Sequence, residues 1–488
     1  MRRSVVSLSC VFLGLLACHQ QRRDPFAGVG PLAGADAIVE GRAAASATDT
    51  VDAKMSIRLL RARWALRNEH DEGRDFWSDV ALLDTQNAER AAKTMDERTF
   101  AVALRTLMDG QPGAAAVAFG LLHAAATDSL VRARARIGLT MALSYDSDWQ
   151  AMARLRATPN DADSIPGSLA VAAGVERWAH ALSQIPTPVF DIPDQPVVLP
   201  MRRSFLGTPV VTIKINGKPH EFWLDTGASM TLLSTDVAIA AGAKLAADDT
   251  LALGVVGGHI EARAIYIDSM AIGPVTVRGL GAALVSPEAL RFDQKLVNGL
   301  RTSVPIDGMI GTDVLRHLDV VMDAKAGTIT LRRPYRVAGK RRNLFWVGYP
   351  VVRLVTPEGR AVLFGLDTGA EGTYVTNTML KKAPRTPVAM RRMSLVGLGP
   401  ADTKRTAKST WIARQVPLSD GNYAIMLNNV PIMPPQRWTF VDFDGVIGSD
   451  IALATRMHLD FTNGVFDIRA SDAPDVYYDG APDVKVVY

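Results

Sequence analysis

The chain has almost no cysteine: Cys10 and Cys18 stand alone among 488 residues. That scarcity excludes a disulfide framework and any metal site built from several thiolates. Net charge is also scarce, with 54 Lys and Arg against 50 Asp and Glu, a formal +4 that includes Arg2 and Arg3. So small a surplus argues no polyanionic partner, and the basic clusters Arg332-Arg333 and Lys340-Arg341-Arg342 lack interleaved aromatics, so no nucleic-acid surface is expected. The apolar run from Val5 to Ala17 is too short to span a bilayer. No collagen, heptad or low-complexity pattern is present, and 48% apolar with 21% charged residues is the composition of an ordinary globular protein. At this length two or three domains are expected.

What is present begins with a basic Met1-Arg2-Arg3, the short apolar run, and then Cys18. The sequence Leu15-Leu16-Ala17-Cys18 resembles the bacterial lipobox. That resemblance implies a lipoprotein-type signal peptide over 1–17, lipidation at Cys18, and a cell-envelope protein held to the membrane by its anchor. His19, where an aspartate would alter sorting, points by the same resemblance to an outer membrane facing the periplasm if the host has two membranes. Residues 18–50 are rich in Ala, Gly and Asp without a period and read as a flexible tether.

Over 51–185 the pattern turns to Ala, Leu and Arg with apolar spacings of three and four, as at Phe100, Val102, Ala103, Leu104 and Leu107, which predicts an α-helical domain. Breaks at Asp109-Gly110-Gln111-Pro112-Gly113 and Tyr145-Asp146-Ser147-Asp148 predict helical hairpins. Residues 114–153 look somewhat like a tetratricopeptide array without its 34-residue period. The domain is either a docking surface for a protein partner or a spacer holding the rest of the chain off the membrane. Prolines at 186, 188, 193 and 196 mark a linker over 186–200, after which short runs rich in Val, Ile and Thr predict a mainly β half.

That half contains a repeat of a whole domain. Pro209-Val210-Val211, a turn at Asn216-Gly217-Lys218 and Leu224-Asp225-Thr226-Gly227-Ala228 recur as Pro350-Val351-Val352, a turn at Pro357-Glu358-Gly359 and Leu366-Asp367-Thr368-Gly369-Ala370. Downstream, Asp307-Gly308-Met309-Ile310-Gly311-Thr312-Asp313 recurs as Asp444-Gly445-Val446-Ile447-Gly448-Ser449-Asp450. A lone Asp-Thr-Gly occurs by chance in roughly one chain in ten of this length, but two copies in matching context do not.

The repeat resembles the retropepsin-like aspartic peptidases, in which each lobe supplies one Asp-Thr-Gly-Ala loop braced by an apolar-apolar-Gly segment. The resemblance covers about 196–470 and implies a multi-domain α+β chain: the helical domain, then two mainly β acid-protease lobes over 201–334 and 344–470, forming a pseudo-two-fold dimer. A linker over 335–343 would join them, with a C-terminal tail over 471–488. Asp225 and Asp367 are the expected catalytic pair, supported by Thr226, Gly227, Ala228, Thr368, Gly369 and Ala370. The glycines permit a tight turn and the threonines hydrogen-bond across the axis. Gly311 and Gly448 let the bracing segment approach, while Asp313 and Asp450 look like structural helix N-terminal residues.

Two carboxyl groups about 3 Å apart cannot both ionise, so they share a proton; one activates a water while the other polarises the scissile carbonyl. This chemistry calls for no cofactor and no metal. Its partner is a peptide or protein substrate, bound extended under a flap. The flap candidates are Gly254, Gly257 and Gly258 in the first copy and Gly397 and Gly399 in the second, neither with the tyrosine of pepsin-type enzymes. Ser229 and Glu371 break the repeat, so outer hydrogen bonds to the two carboxyls should differ. His317 and His458 read as core histidines. The short link favours a monomer with one site within the chain, over pairing between two chains. The competing reading is a non-catalytic envelope scaffold with a retired protease fold, against which both intact loops argue.

Overall fold

The computed structural model describes residues 56–60, 74–155, 168–204, 207–255, 258–295, 301–337, 342–370, 372–396, 405–434 and 436–472. Cys18, the tether and residues 473–488 of the tail lie outside these residues.

Strand β1 (Ser56–Leu60) precedes a helical layer: α1 (Phe76–Ala81), α2 (Thr85–Ala91), α3 (Met95–Met108), α4 (Pro112–Ala125), α5 (Ser129–Tyr145), α6 (Trp149–Met152) and α7 (Ser168–Leu182). Side-chain caps start most of them, with Asp75, Asp84, Asp128 and Asp148 each accepting from a first-turn amide and Thr94 and Glu97 forming a capping box. The two expected breaks are helix ends. Gly110 adopts φ 69° after α3, where Pro112 then opens α4, and Ser147 adopts φ 54° between α5 and α6.

The first β region comprises β2 (Val189–Asp191), β3 (Val197–Pro200), β4 (Arg202–Arg203), β5 (Pro209–Ile215), β6 (Lys218–Leu224), β7 (Leu232–Ser234), helix α8 (Thr235–Ala241), β8 (Lys244–Val255), β9 (Gly258–Ile272), β10 (Val275–Val285), β11 (Arg291–Lys295), β12 (Arg301–Pro305), β13 (Gly308–Ile310), helix α9 (Thr312–Leu315), β14 (Asp319–Asp323) and β15 (Thr328–Arg332). The second comprises β16 (Leu344–Trp346), β17 (Pro350–Val355), β18 (Ala361–Leu366), β19 (Tyr374–Thr376), helix α10 (Asn377–Lys382), β20 (Val388–Val396), β21 (Arg405–Ser419), β22 (Ala424–Met433), β23 (Gln436–Trp438), β24 (Val441–Phe443), β25 (Gly445–Ile447), helix α11 (Ser449–Ala454), β26 (Arg456–Asp460) and β27 (Val465–Arg469). In β5 inward positions alternate with exposed ones after Val211, and Asn216 and Gly217, at φ 48° and 85°, make the left-handed pair that a two-residue hairpin to β6 requires.

The two main sheets have the same strand order. One runs β2-β10-β7-β13-β6-β5-β9-β8 and the other β1-β22-β19-β25-β18-β17-β21-β20, with β4 on β5 and β16 on β17 at corresponding places. The helical layer is therefore strung between two equivalent strands: the chain leaves one sheet through β1 and enters the other through β2. This corrects two expectations. The segment expected to be helical from 51 contains a strand paired with β22, and the expected linker over 186–200 carries β2 and β3. A further sheet, β27-β26-β14-β15-β3, joins the lobes, with β14 of the first antiparallel to β26 of the second. His458 lies on that seam rather than in a core, its Nε2 2.7 Å from Asp319 Oδ1. His317 does pack among rings, 4.4 Å from Phe190, and burial lowers it to about 3.

The helical layer packs against both lobes. Phe100, Leu104 and Phe119 share one apolar cluster with Phe345, Leu363 and Phe440 of the second lobe. Trp178 and Leu182 share another with Trp223, Met230 and Leu253 of the first. Arginines of the β half close the helix ends: Arg353 Nη2 donates to the Leu83 carbonyl at 2.8 Å, Arg342 Nε to Met108 at 2.8 Å, and Arg316 to the Ser144 and Tyr145 carbonyls. The last carbonyls of a helix have no partner within it and carry its negative dipole end, so a guanidinium suits them.

Candidate active site

β6 and β18 deliver Asp225 and Asp367 to adjacent positions, each strand lying parallel to the bracing strand of its own lobe, β13 and β25. The backbone holds each aspartate alike: Asp225 N donates to Ile310 O at 3.0 Å and Asp367 N to Ile447 O at 2.9 Å. Each carboxylate accepts two amides of its own loop on Oδ1. Gly227 and Ala228 reach Asp225 at 2.8 and 3.2 Å, and Gly369 and Ala370 reach Asp367 at 3.0 and 3.0 Å.

The loops interlock. Thr226 N donates to Thr368 Oγ1 at 3.0 Å and Thr368 N to Thr226 Oγ1 at 2.9 Å, while Thr368 Oγ1 donates onward to Leu224 O at 2.7 Å. All four groups are buried, and a buried amide without a partner would cost about 1–3 kcal/mol. The reciprocal bonds therefore fix the separation of the two loops.

The glycines do more than permit the tight turn whose amides reach the carboxylates. Neither has a positive φ, so neither is needed for a left-handed turn. A Cβ on Gly227 would lie 2.3 Å from Asp367 Oδ1, and one on Gly369 would lie 2.5 Å from the Asp225 Cγ. Each glycine is the floor beneath the opposite carboxyl.

Behind the loops, Thr312 N and Ser449 N donate to the Ala228 and Ala370 carbonyls at 2.7 and 2.9 Å. A Cβ on Gly311 would stand 2.8 Å from that same Ala228 oxygen, and one on Gly448 would stand 2.5 Å from the Gly372 carbonyl carbon. These glycines are the N-caps of α9 and α11, so Asp313 and Asp450 sit inside the first turn. Their carboxylates accept from Thr231 and Thr373, from the amide at 2.8 and 3.0 Å and from the hydroxyl at 2.9 and 2.7 Å. Sequence reasoning missed these two threonines. The signal was present, since each stands at the same offset beyond the aspartate of its Asp-Thr-Gly loop.

Residues 211–314 match the family profile described as aspartyl protease. That match falls within the first lobe. Among solved structures, the chain is similar to an aspartic proteinase from Irpex lacteus at 11% identity, over 57% of this chain and 98% of that one, with a TM-score of 0.35. It is also similar to a retropepsin-like aspartic protease from Rickettsia conorii at 15% identity, over 30% of this chain and 95% of that one, with a TM-score of 0.19. No curated protein matches the chain.

Burial lifts both carboxyls above the ordinary carboxylate range, Asp367 the further because the charge of Asp225 faces it. A pair so placed holds one proton between its members at pH values where isolated carboxylates are ionised. Tyr349 packs beside Gly365, whose Cβ would lie 2.9 Å from its ring, and burial keeps its phenol protonated. The buried hydroxyl of Ser229 has no hydrogen-bond partner among the described residues. Glu371 lies outside those residues.

Of the flap candidates, Gly254 and Gly258 lie in the paired stem of β8 and β9, whereas Gly257, Gly397 and Gly399 fall outside the described residues. The stem of the second hairpin is paired from Val388↔Ala413 to Val396↔Arg405. Among the described residues no three His, Cys, Asp or Glu side chains converge to form a metal site.

Proposed function

We propose that the chain is an aspartic endopeptidase that hydrolyses peptide bonds with a water held between Asp225 and Asp367. The observation that carries this reading is the crossed floor: each carboxyl lies over the other lobe's glycine, which brings two buried acids from one chain face to face. The ionised member takes a proton from the water as it attacks the scissile carbonyl. The protonated member hydrogen-bonds that carbonyl oxygen, and the tetrahedral diol collapses as a proton passes to the leaving amine. The lobes are related by a pseudo-two-fold axis through the pair, a reading supported by the common strand order and the reciprocal threonine bonds.

The test is hydrolysis of a mixed peptide library by the full chain in detergent, with and without a statine-type inhibitor, over about pH 3 to 8. Asp225→Asn and Asp367→Asn should each reduce turnover at least about a thousandfold, because either change removes half of the shared-proton pair. The wild-type profile should be bell-shaped, its alkaline limb above the ordinary carboxylate range. Substantial turnover in either mutant would sink the mechanism.

The lipobox-like Leu15-Leu16-Ala17-Cys18 supports an envelope protein anchored through Cys18, on the periplasmic face of an outer membrane where the host has one. No helix among the described residues is long and apolar enough to cross a membrane. Cys18→Ser should abolish incorporation of labelled fatty acid; a variant still labelled would refute the anchor.

A further inference from the structure

Helix α7 packs against the hairpin formed by β8 and β9. Trp178, in its C-terminal half, is 1% exposed, and its indole Nε1 donates to the carbonyl of Ala252 at 3.0 Å. Ala252 belongs to β8, the terminal strand of its sheet, three positions before Val255, where the described pairing Val255↔Gly258 closes the stem. Leu251 and Leu253, on either side of that carbonyl, are 3% and 1% exposed and share an apolar cluster with Trp178 and with Ala228 and Met230 of the catalytic loop. Trp178 also lines a small cavity together with Ser229 and Met230. One side chain of the helical layer therefore lies between a hairpin stem and the loop that carries Asp225.

A buried indole must find an acceptor, and many would satisfy it. This one takes a carbonyl of an edge strand, where backbone groups are otherwise open to water and to exchange. We propose that Trp178 is a positioning residue: it fixes the stem of the first-lobe hairpin relative to the catalytic loop, so that the helical layer sets the surface a peptide meets beside Asp225. The proposal rests on the peptidase reading for its effect on substrate, but its structural half is measurable without any activity.

The experiment is Trp178→Phe in the full chain, which keeps most of the ring volume and removes the donor. Backbone hydrogen exchange over the stem, residues 245–255 and 258–265, should quicken about fivefold, as expected for loss of one net hydrogen bond, with the rest of the chain unchanged. Trp346→Phe is the control, since it removes an equally buried indole bond, 3.2 Å from Nε1 to the Met141 carbonyl, at a helix end and not at the stem. It should leave stem exchange as in the wild type. With a peptide substrate, Trp178→Phe should raise KM about fivefold while kcat and both limbs of the pH profile stay in place.

Unchanged stem exchange in Trp178→Phe, or equal acceleration in both variants, would overturn the proposal. So would a loss of kcat with unchanged KM. If no peptide is hydrolysed, the exchange result still decides the brace while the peptidase reading fails separately. Should Trp178→Phe not fold, the unaltered chain provides the test. The Trp178 indole N–H should exchange as slowly as the stem amides, and a fast-exchanging indole would refute the brace.

Discussion

Gly369 has no room for a side chain, because the Asp225 carboxyl occupies the place where its Cβ would be. Gly369→Ala should therefore displace a carboxyl from its partner without adding a charge or opening a cavity. Turnover should fall about a hundredfold, the usual consequence of misplacing a reacting group by about an ångström. The comparison that decides is single-turnover rate against unfolding midpoint: wild-type turnover in a folded variant would show that the floor is not tight. Here the sequence was highly legible, since the same residue types recur at the same offsets in two copies. The reason for the glycine was not. A turn and a close approach demand the same residue, and only the position of the other lobe distinguishes them. Thr231 and Thr373 illustrate the same limit, because a threonine acquires meaning only when a buried aspartate from a distant segment is set against it.

Arg316 ends helix α9 immediately behind the bracing segment, and its guanidinium reaches the Ser144 and Tyr145 carbonyls and the Ser147 hydroxyl, with Trp346 4.9 Å beneath it. Burial lowers it only to about 10, so it remains charged at neutral pH against the negative end of α5. Arg316→Met should destabilise the fold by on the order of 3 kcal/mol, because it removes the buried charge-assisted hydrogen bonds to the Ser144 and Tyr145 carbonyls and the Ser147 hydroxyl. Urea unfolding measures this, and an unmoved midpoint would show that the guanidinium is dispensable. Helix boundaries in this region were readable from Asp, Gly and Pro at the breaks, where local chemistry suffices. Strand β1 was not readable: a five-residue segment becomes a strand through the edge of β22 offered to it, and nothing nearby in the chain specifies that edge.

At the scale of the whole molecule, the fold buries carboxyls it does not fully compensate. Asp313, Asp420 and Asp450 are each raised to about 6 by burial. A carboxyl with a raised folded pKa binds its proton more tightly than in the unfolded chain. Its stabilising effect is full below the unfolded value near 4 and is lost as pH rises through about 6. His317, lowered to about 3, acts in the opposite sense: its effect is full above about 6.5 and is lost as pH falls through about 3. Three carboxyls outweigh one imidazole, and the raised Asp146, Asp225 and Asp367 add to their side. Thermal unfolding midpoints should therefore fall between about pH 4 and pH 7, and a midpoint that rises across that interval would contradict this balance.

The amino-acid sequence by itself determined the pair of aspartates, the doubled lobe and the helical character of the region before it, because each is written as a local pattern or an internal repeat. Tertiary structure alone decided that the helices form a layer strung between equivalent strands of the two lobes, and that Trp178 meets Ala252 across 74 positions of chain. Contacts between segments so far apart depend on which surfaces remain to be buried once each lobe has formed, and no local pattern carries that information.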